Sequence, residues 1–168
     1  MVTVVQRCDG LITELSKFSN DMLYLGPPID DDRLECFEKV IGFTLPSDFV
    51  YLLKKHNGFS LDGTEVCGLD IELRGASLDE LYNFEHDEGG NKMPAEFMPF
   101  SPDGFGNHYC LDLSNLIDGF CPVVFWQHDC FYEIKTDVEV THPDFINWVE
   151  EVMIAWTLEN SNYDGTEK

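Results

Sequence analysis

Basic residues are scarce in this chain: 10 Lys and Arg stand against 32 Asp and Glu in 168 residues, a formal net charge of −22. Nucleic-acid backbones and anionic lipid are met by cationic faces that release counterions or pair with headgroups. The shortage therefore argues against direct binding to nucleic acid or membrane. Long apolar runs are missing too, and nothing nears the ~20 residues that cross a bilayer. The opening Met1-Val2-Thr3-Val4-Val5-Gln6-Arg7 lacks the basic region, apolar run and small-residue cleavage site of a secretory signal. The expectation is a cytoplasmic protein. Cys8, Cys36, Cys67, Cys110, Cys121 and Cys130 contain no Cys-x-x-Cys pair. Neither a structural zinc site nor a disulfide framework is expected, and most of the thiols read as small buried hydrophobes.

Catalytic signatures are equally sparse. Gly75-Ala76-Ser77-Leu78-Asp79 lacks the second glycine of a nucleophile elbow, and no His-Glu-x-x-His pair or Lys-bearing phosphate loop is present. His108 with Cys110, and His128 with Cys130, share a strand face by simple alternation and lack a third orienting group. Asp103-Gly104-Phe105-Gly106-Asn107 has glycines but no Lys, and reads as a tight turn between strands. No enzyme, no cofactor and no metal site is expected.

What the chain does hold is a core: 43% of residues are apolar and 13% aromatic, enough to offset ordering entropy. Residues 1–168 read as one domain. The charge is uneven, with 6 basic and 9 acidic residues in 1–57 against 4 and 23 in 58–168. Val4, Cys8, Leu11, Ile12, Leu15 and Phe18 draw one helical stripe. Asp30, Asp31 and Asp32 suit the start of a second helix, as caps and against its dipole, and Gly42 suits its end. A third opens at Leu45-Pro46-Ser47-Asp48, with Pro46 at the first helical position, and ends at Asn57-Gly58.

Beyond Gly58 the period falls toward two. Val66–Leu73 alternates loosely, and Ser77-Leu78-Asp79-Glu80 resembles a capping box opening a short helix. Short β-rich runs follow at 97–100, 108–113, 123–127, 131–135 and 138–140, with 123–127 and 131–135 predicted to form a hairpin across His128-Asp129-Cys130. A last helix near Asp144 places Phe145, Trp148, Val149, Val152 and Trp156 on one stripe. The predicted class is α+β, a mixed, largely antiparallel sheet with helices packed around it.

Nine carboxylates crowd the middle: Asp62, Glu65, Asp70, Glu72, Asp79, Glu80, Glu85, Asp87 and Glu88, with Arg74 the one basic residue among them. A solvated face is the default reading of such a run. Like charges held close also repel, and a basic partner would relieve that repulsion and be steered in by it. These nine are the candidate partner-binding residues.

Leu45-Pro46-Ser47-Asp48-Phe49, then Leu52 and His56-Asn57-Gly58-Phe59, resemble the "Leu-Pro, acidic, aromatic, then Asn-Gly" signature of the SUKH superfamily, whose bacterial branch includes immunity proteins. Asp103-Gly104 through Asn107 and Asp112, Pro122-Val123-Val124-Phe125-Trp126-Gln127-His128, and Asp144-Phe145-x-x-Trp148 resemble its later motifs in the right order. Gln127 departs from the acidic residue common before His128. The resemblance spans roughly Asp30 to Val149 and leaves the N-terminal helix (1–20) and residues 159–168 outside. It implies a non-enzymatic immunity protein that neutralises a cognate polymorphic or contact-dependent toxin, often a nuclease or nucleic-acid deaminase. A regulatory scaffold, as in the fungal branch, is the alternative. Leu45, Pro46, Asp48, Phe49, Leu52, Asn57, Gly58, Asp103, Gly104, Trp126 and His128 carry the match and read as mainly structural, so partner choice falls to surface residues.

Overall fold

Thr3 and Gln6 open the first helix with reciprocal hydrogen bonds, each side chain accepting from the other's backbone N–H, so the orphan donors of the first turn are satisfied. A computed structural model describes all residues, Met1–Lys168. α1 (Val4–Leu15) buries Cys8, Leu11 and Leu15, and stops one turn short of Phe18, which is itself buried. α2 (Asp31–Ile41) ends at Gly42 in the left-handed conformation, φ 79°. Asp30 sits at its N-cap without a side-chain cap bond, so the acidic triplet acts on the helix through charge alone. α3 (Ser47–Lys55) begins one residue later than predicted, leaving Pro46 as the cap.

Two antiparallel sheets follow, giving an α+β fold. The first orders β1 (Leu23–Leu25), β2 (Phe59–Leu61) and β3 (Thr64–Val66). The second orders β4 (Phe97–Pro102), β5 (His108–Asp112), β6 (Val123–Trp126) and β7 (Glu139–His142). One backbone bond, from Cys67 N–H to the carbonyl of Phe100 at 2.8 Å, links the two sheets. Between the sheets lies α4 (Leu78–Asn83), capped by Ser77 and Glu80, and running on as a π-helical turn, Phe84–Glu88.

Both faces of the second sheet are covered. Leu111 and Val123 join a 30-residue core under the helices, whereas Cys110, Val124 and Trp126 face a second cluster of six with Met93, Phe97 and Val138. Neighbours along a strand point to opposite faces, which is why adjacent residues serve different cores. α1 packs into the larger core, and the ring of Tyr163 in the last segment meets that of Phe18 at a tilt of 54°, its hydroxyl donating to Glu14.

Three predicted elements differ. Residues 131–135 form no strand: β6 pairs with β7, and Phe131 and Ile134 stand exposed while Val138 enters the small core. The strand predicted at 66–73 ends at Val66, because Asp70 holds a positive φ of 63° and the side chain of Asn57 occupies the backbone of Leu69. The closing helix runs from α5 (Phe145–Trp148) through a seven-residue π segment (Val149–Ala155) to α6 (Trp156–Asn160). The wider turn rotates later residues off the stripe, so Trp148 is buried and Trp156 is 45% exposed.

Candidate functional site

Asp62 and Gly63 both hold positive φ, 46° and 95°, making the two-residue turn that joins β2 to β3. In β3, Val66 points into the core, so Glu65 must point away from it. The strap Arg74–Ala76 and the loop Pro102–Gly104 close over that outer face, leaving Glu65 only 6% exposed. Its Oε2 has no hydrogen-bond partner. Burial pushes the Glu65 carboxyl above the usual carboxylate range, with the charge and the backbone N–H of Arg74 pulling it down less strongly.

Above Glu65 lies a cleft of about 420 Å³, lined among others by Gly63, Glu65, Arg74, Gly75, Asp103 and Gly104. Asp103 opens the β4–β5 turn and accepts hydrogen bonds from Phe105 N–H, Asn107 N–H and Asn107 Nδ2. Partial burial raises its pKa, but those bonds prevail and hold it below the ordinary value. Arg74 makes no ion pair within 4 Å and also lines a neighbouring cleft with Glu72. No group of three or more His, Cys, Asp or Glu is placed to hold a metal ion.

The nine predicted carboxylates do not form one exposed face. Asp62, Glu72, Glu80, Asp87 and Glu88 are exposed. Asp70 is exposed but is gripped by Arg33, with Nε at 2.5 Å and Nη2 at 2.7 Å, and this pairing holds its carboxyl below the usual range. Asp79 accepts from Asp70 N–H, and Glu80 from Ser77 N–H. Glu85 is withdrawn altogether: it is 6% exposed, and its Oε1 accepts from His108 Nε2 at 2.8 Å beneath the π turn. A buried carboxylate met by an internal donor is a fold contact, which places Glu85 inside the fold and off the exposed face; Glu65 is equally buried but keeps Oε2 unmet.

The motif residues are held as structure. Leu45, Phe49 and Leu52 lie in the large core, and Trp126 ends β6 in the small one, stacked at 6.3 Å from the ring of His108. Asn57 pairs with both backbone groups of Leu69 at 2.8 Å. Gly58 and Gly68 permit that approach, since a Cβ on Gly68 would sit 2.5 Å from the Asn57 carbonyl. His128 lies in a turn beyond β6, exposed, with Nδ1 3.0 Å from Asn107 Oδ1 and its ring against Gly106. No strand therefore carries His128 and Cys130 as a pair, and His108 and Cys110 are both buried. Asp48 is fully buried between α3 and α5, where desolvation raises its pKa to about 6. Burial likewise pushes the Cys67 thiol up to about 12, leaving it protonated and inert.

Missed in the sequence were Arg74 and Gly75 as cleft residues, and β2 and β3 themselves. Asp62-Gly63 between Phe59-Ser60-Leu61 and Thr64-Glu65-Val66 is the hairpin signal that would have found them.

Residues 28–151, three quarters of the chain and all of the cleft, match the model of the SMI1 / KNR4 family (SUKH-1). The chain belongs to this family. The SUKH-1 fold recurs in a solved structure described as a protein from Pseudomonas syringae pv. tomato, 17% identical, with a TM-score of 0.60, covering 88% of this chain and 98% of that one. At that identity the likeness concerns fold. No curated protein matches this SUKH-1 chain. None of its helices is long and apolar enough to cross a membrane.

Proposed function

We propose that this SUKH-1 protein is a cytoplasmic, non-enzymatic immunity protein that neutralises a basic cognate toxin, a polymorphic or contact-dependent nuclease or nucleic-acid deaminase, by stoichiometric binding. The observation that carries this reading is the acidic surface around the Glu65 cleft. Glu65 and Asp103 line that cleft, Glu72 lines the neighbouring one, and Arg74, which lines both, is the one cation in the surrounding run, inside the span that matches the family. Toxins that act on nucleic acid carry cationic active-site surfaces, because they must meet phosphate. An acidic inhibitor covers such a surface as phosphate would, and complementary charge speeds encounter.

Co-expression with a panel of secreted nuclease and deaminase domains tests it. Rescue of growth by this chain, with association that weakens steeply as salt rises, is the expected result. Failure to rescue against every domain, together with recovery of a stable complex containing signalling proteins, overturns it in favour of the scaffold reading.

A further inference from the structure

The cleft over Glu65 differs from an ordinary acidic patch in one respect. Its floor is a carboxylate that the fold has desolvated and only half met: Glu65 is 6% exposed, the backbone N–H of Arg74 reaches it, and its Oε2 is unpartnered. Burying an ionisable group without a hydrogen bond is costly, and native interiors rarely tolerate it without a purpose. For Glu85 the same problem is solved by His108; Asp48 keeps an orphaned Oδ2 in the interior, and Glu65 keeps one beside a cleft. Arg74 stands at the mouth without closing an ion pair, and its guanidinium lies over the turn, where a Cβ on Gly63 would come within 3.5 Å of Nη1. Asp103 at the opposite wall keeps its charge through three donors of its own loop. Glycines at 63, 75 and 104 leave the mouth open.

We infer that this cleft receives one basic side chain, an arginine or lysine, projected by the protein partner, with Glu65 as its buried carboxylate and Asp103 as the outer one. A cation entering the cleft pairs with the Glu65 carboxylate, whose Oε1 lies beside Gly75, and the second carboxylate, Asp103, discriminates further against acidic or neutral side chains. Arg74 repels the incoming cation, which sets how tightly it is held. The inference rests on the reading of this chain as a binder of a basic protein.

Gly75 provides a variant that blocks the cleft without altering charge. A Cβ there meets nothing closer than Glu65 Oε1 at 4.0 Å, and its φ is ordinary, so Gly75→Val is compatible with the backbone and places its methyls over the carboxylate. The full-length protein is titrated with N-acetyl-arginine methylamide, the lysine analogue and the neutral citrulline analogue, and amide shifts are followed by NMR. The cationic probes are expected to move Gly63, Glu65, Gly75 and Gly104 in a saturable way, and citrulline is not. Glu65→Gln and Gly75→Val should abolish the shifts while Glu88→Gln keeps them, and Arg74→Gln should tighten binding severalfold. Equal response to citrulline, shifts that survive Glu65→Gln, or weaker binding in Arg74→Gln overturns the inference. With a toxin found by rescue, Glu65→Gln and Gly75→Val should each weaken the complex at least about 30-fold, as for one partner of a buried charge pair. Unchanged affinity in both variants refutes the cleft while leaving the immunity reading intact. If no domain in the panel is rescued, the probe titration alone decides the cleft.

Discussion

Glu85 and Glu65 come from the same acidic run and are equally withdrawn from solvent, each 6% exposed, yet they end in opposite states. Glu85 lies on the inner side of the π turn and is met by His108 from β5; the bond ties the 84–94 segment to the second sheet. Glu65 lies on the outer face of β3 under the 74–76 strap, with Oε2 unmet. The first is part of how the small core is closed. The second keeps an unmet oxygen beside an open cleft. A charge count treats these residues alike, and only the donor opposite each one separates them.

The largest expected effect breaks the satisfied side of this contrast. Glu85→Ala should cost about 3–4 kcal/mol, since it leaves the buried His108 without its acceptor, and the loss is read from the urea midpoint at constant m-value. His108→Ala should cost a similar amount and combine with it non-additively, because the two remove one interaction.

Asp48 adds a third buried carboxylate, unpartnered at Oδ2 but bonded at Oδ1 to the Phe49 N–H and facing no cleft. Its folded pKa of about 6 stands above the ordinary aspartate value of 3.8, so the stability linked to it is present below pH 4 and is lost as pH rises through 6. Relative to the wild type, Asp48→Asn should gain about 2 kcal/mol of unfolding free energy between pH 4 and pH 7. Denaturation at the two pH values measures it, and an unchanged difference would show that Asp48 is charged at no cost.

Glu65→Gln should change stability by about 1 kcal/mol or less, in the stabilising direction, because it relieves a desolvated charge and removes no partner. A loss as large as that of Glu85→Ala would erase the contrast between the two glutamates. The smallest effect belongs to the exposed pair. Asp87→Asn with Glu88→Gln should move stability by no more than about 0.5 kcal/mol, and in a toxin complex should lower the association rate and its salt dependence while leaving dissociation unchanged.

Much of the frame was legible locally. The stripe of α1, the stop at Gly42, the capping box at Ser77 and Glu80, and the turn at Asp103–Asn107 all rest on contacts within a few residues, and each is present. The hairpin predicted at 123–135 was not there to be read, because β6 takes its partner from Glu139–His142 across an intervening segment that covers the sheet instead. Trp156 left its stripe because a π segment, which composition does not announce, changes the helical phase. The candidate site divided the same way. The acidic run was visible, but Arg74 and Gly75 had no signal as cleft residues, since their role depends on lying over β3.

The amino-acid order by itself determined where the charge falls, which residues begin and end the first helices, and the succession of motifs that marks the SUKH-1 family. Those properties are written within single turns of chain. Tertiary structure alone decided which carboxylates remain at the surface, which one His108 satisfies and which one faces an open cleft. The physical reason is that burial and hydrogen-bond partnership come from segments far apart in sequence: β5 for Glu85, and the 74–76 strap with the 102–104 loop for Glu65. Identical side chains thus acquire different energies from neighbours that the local sequence does not name.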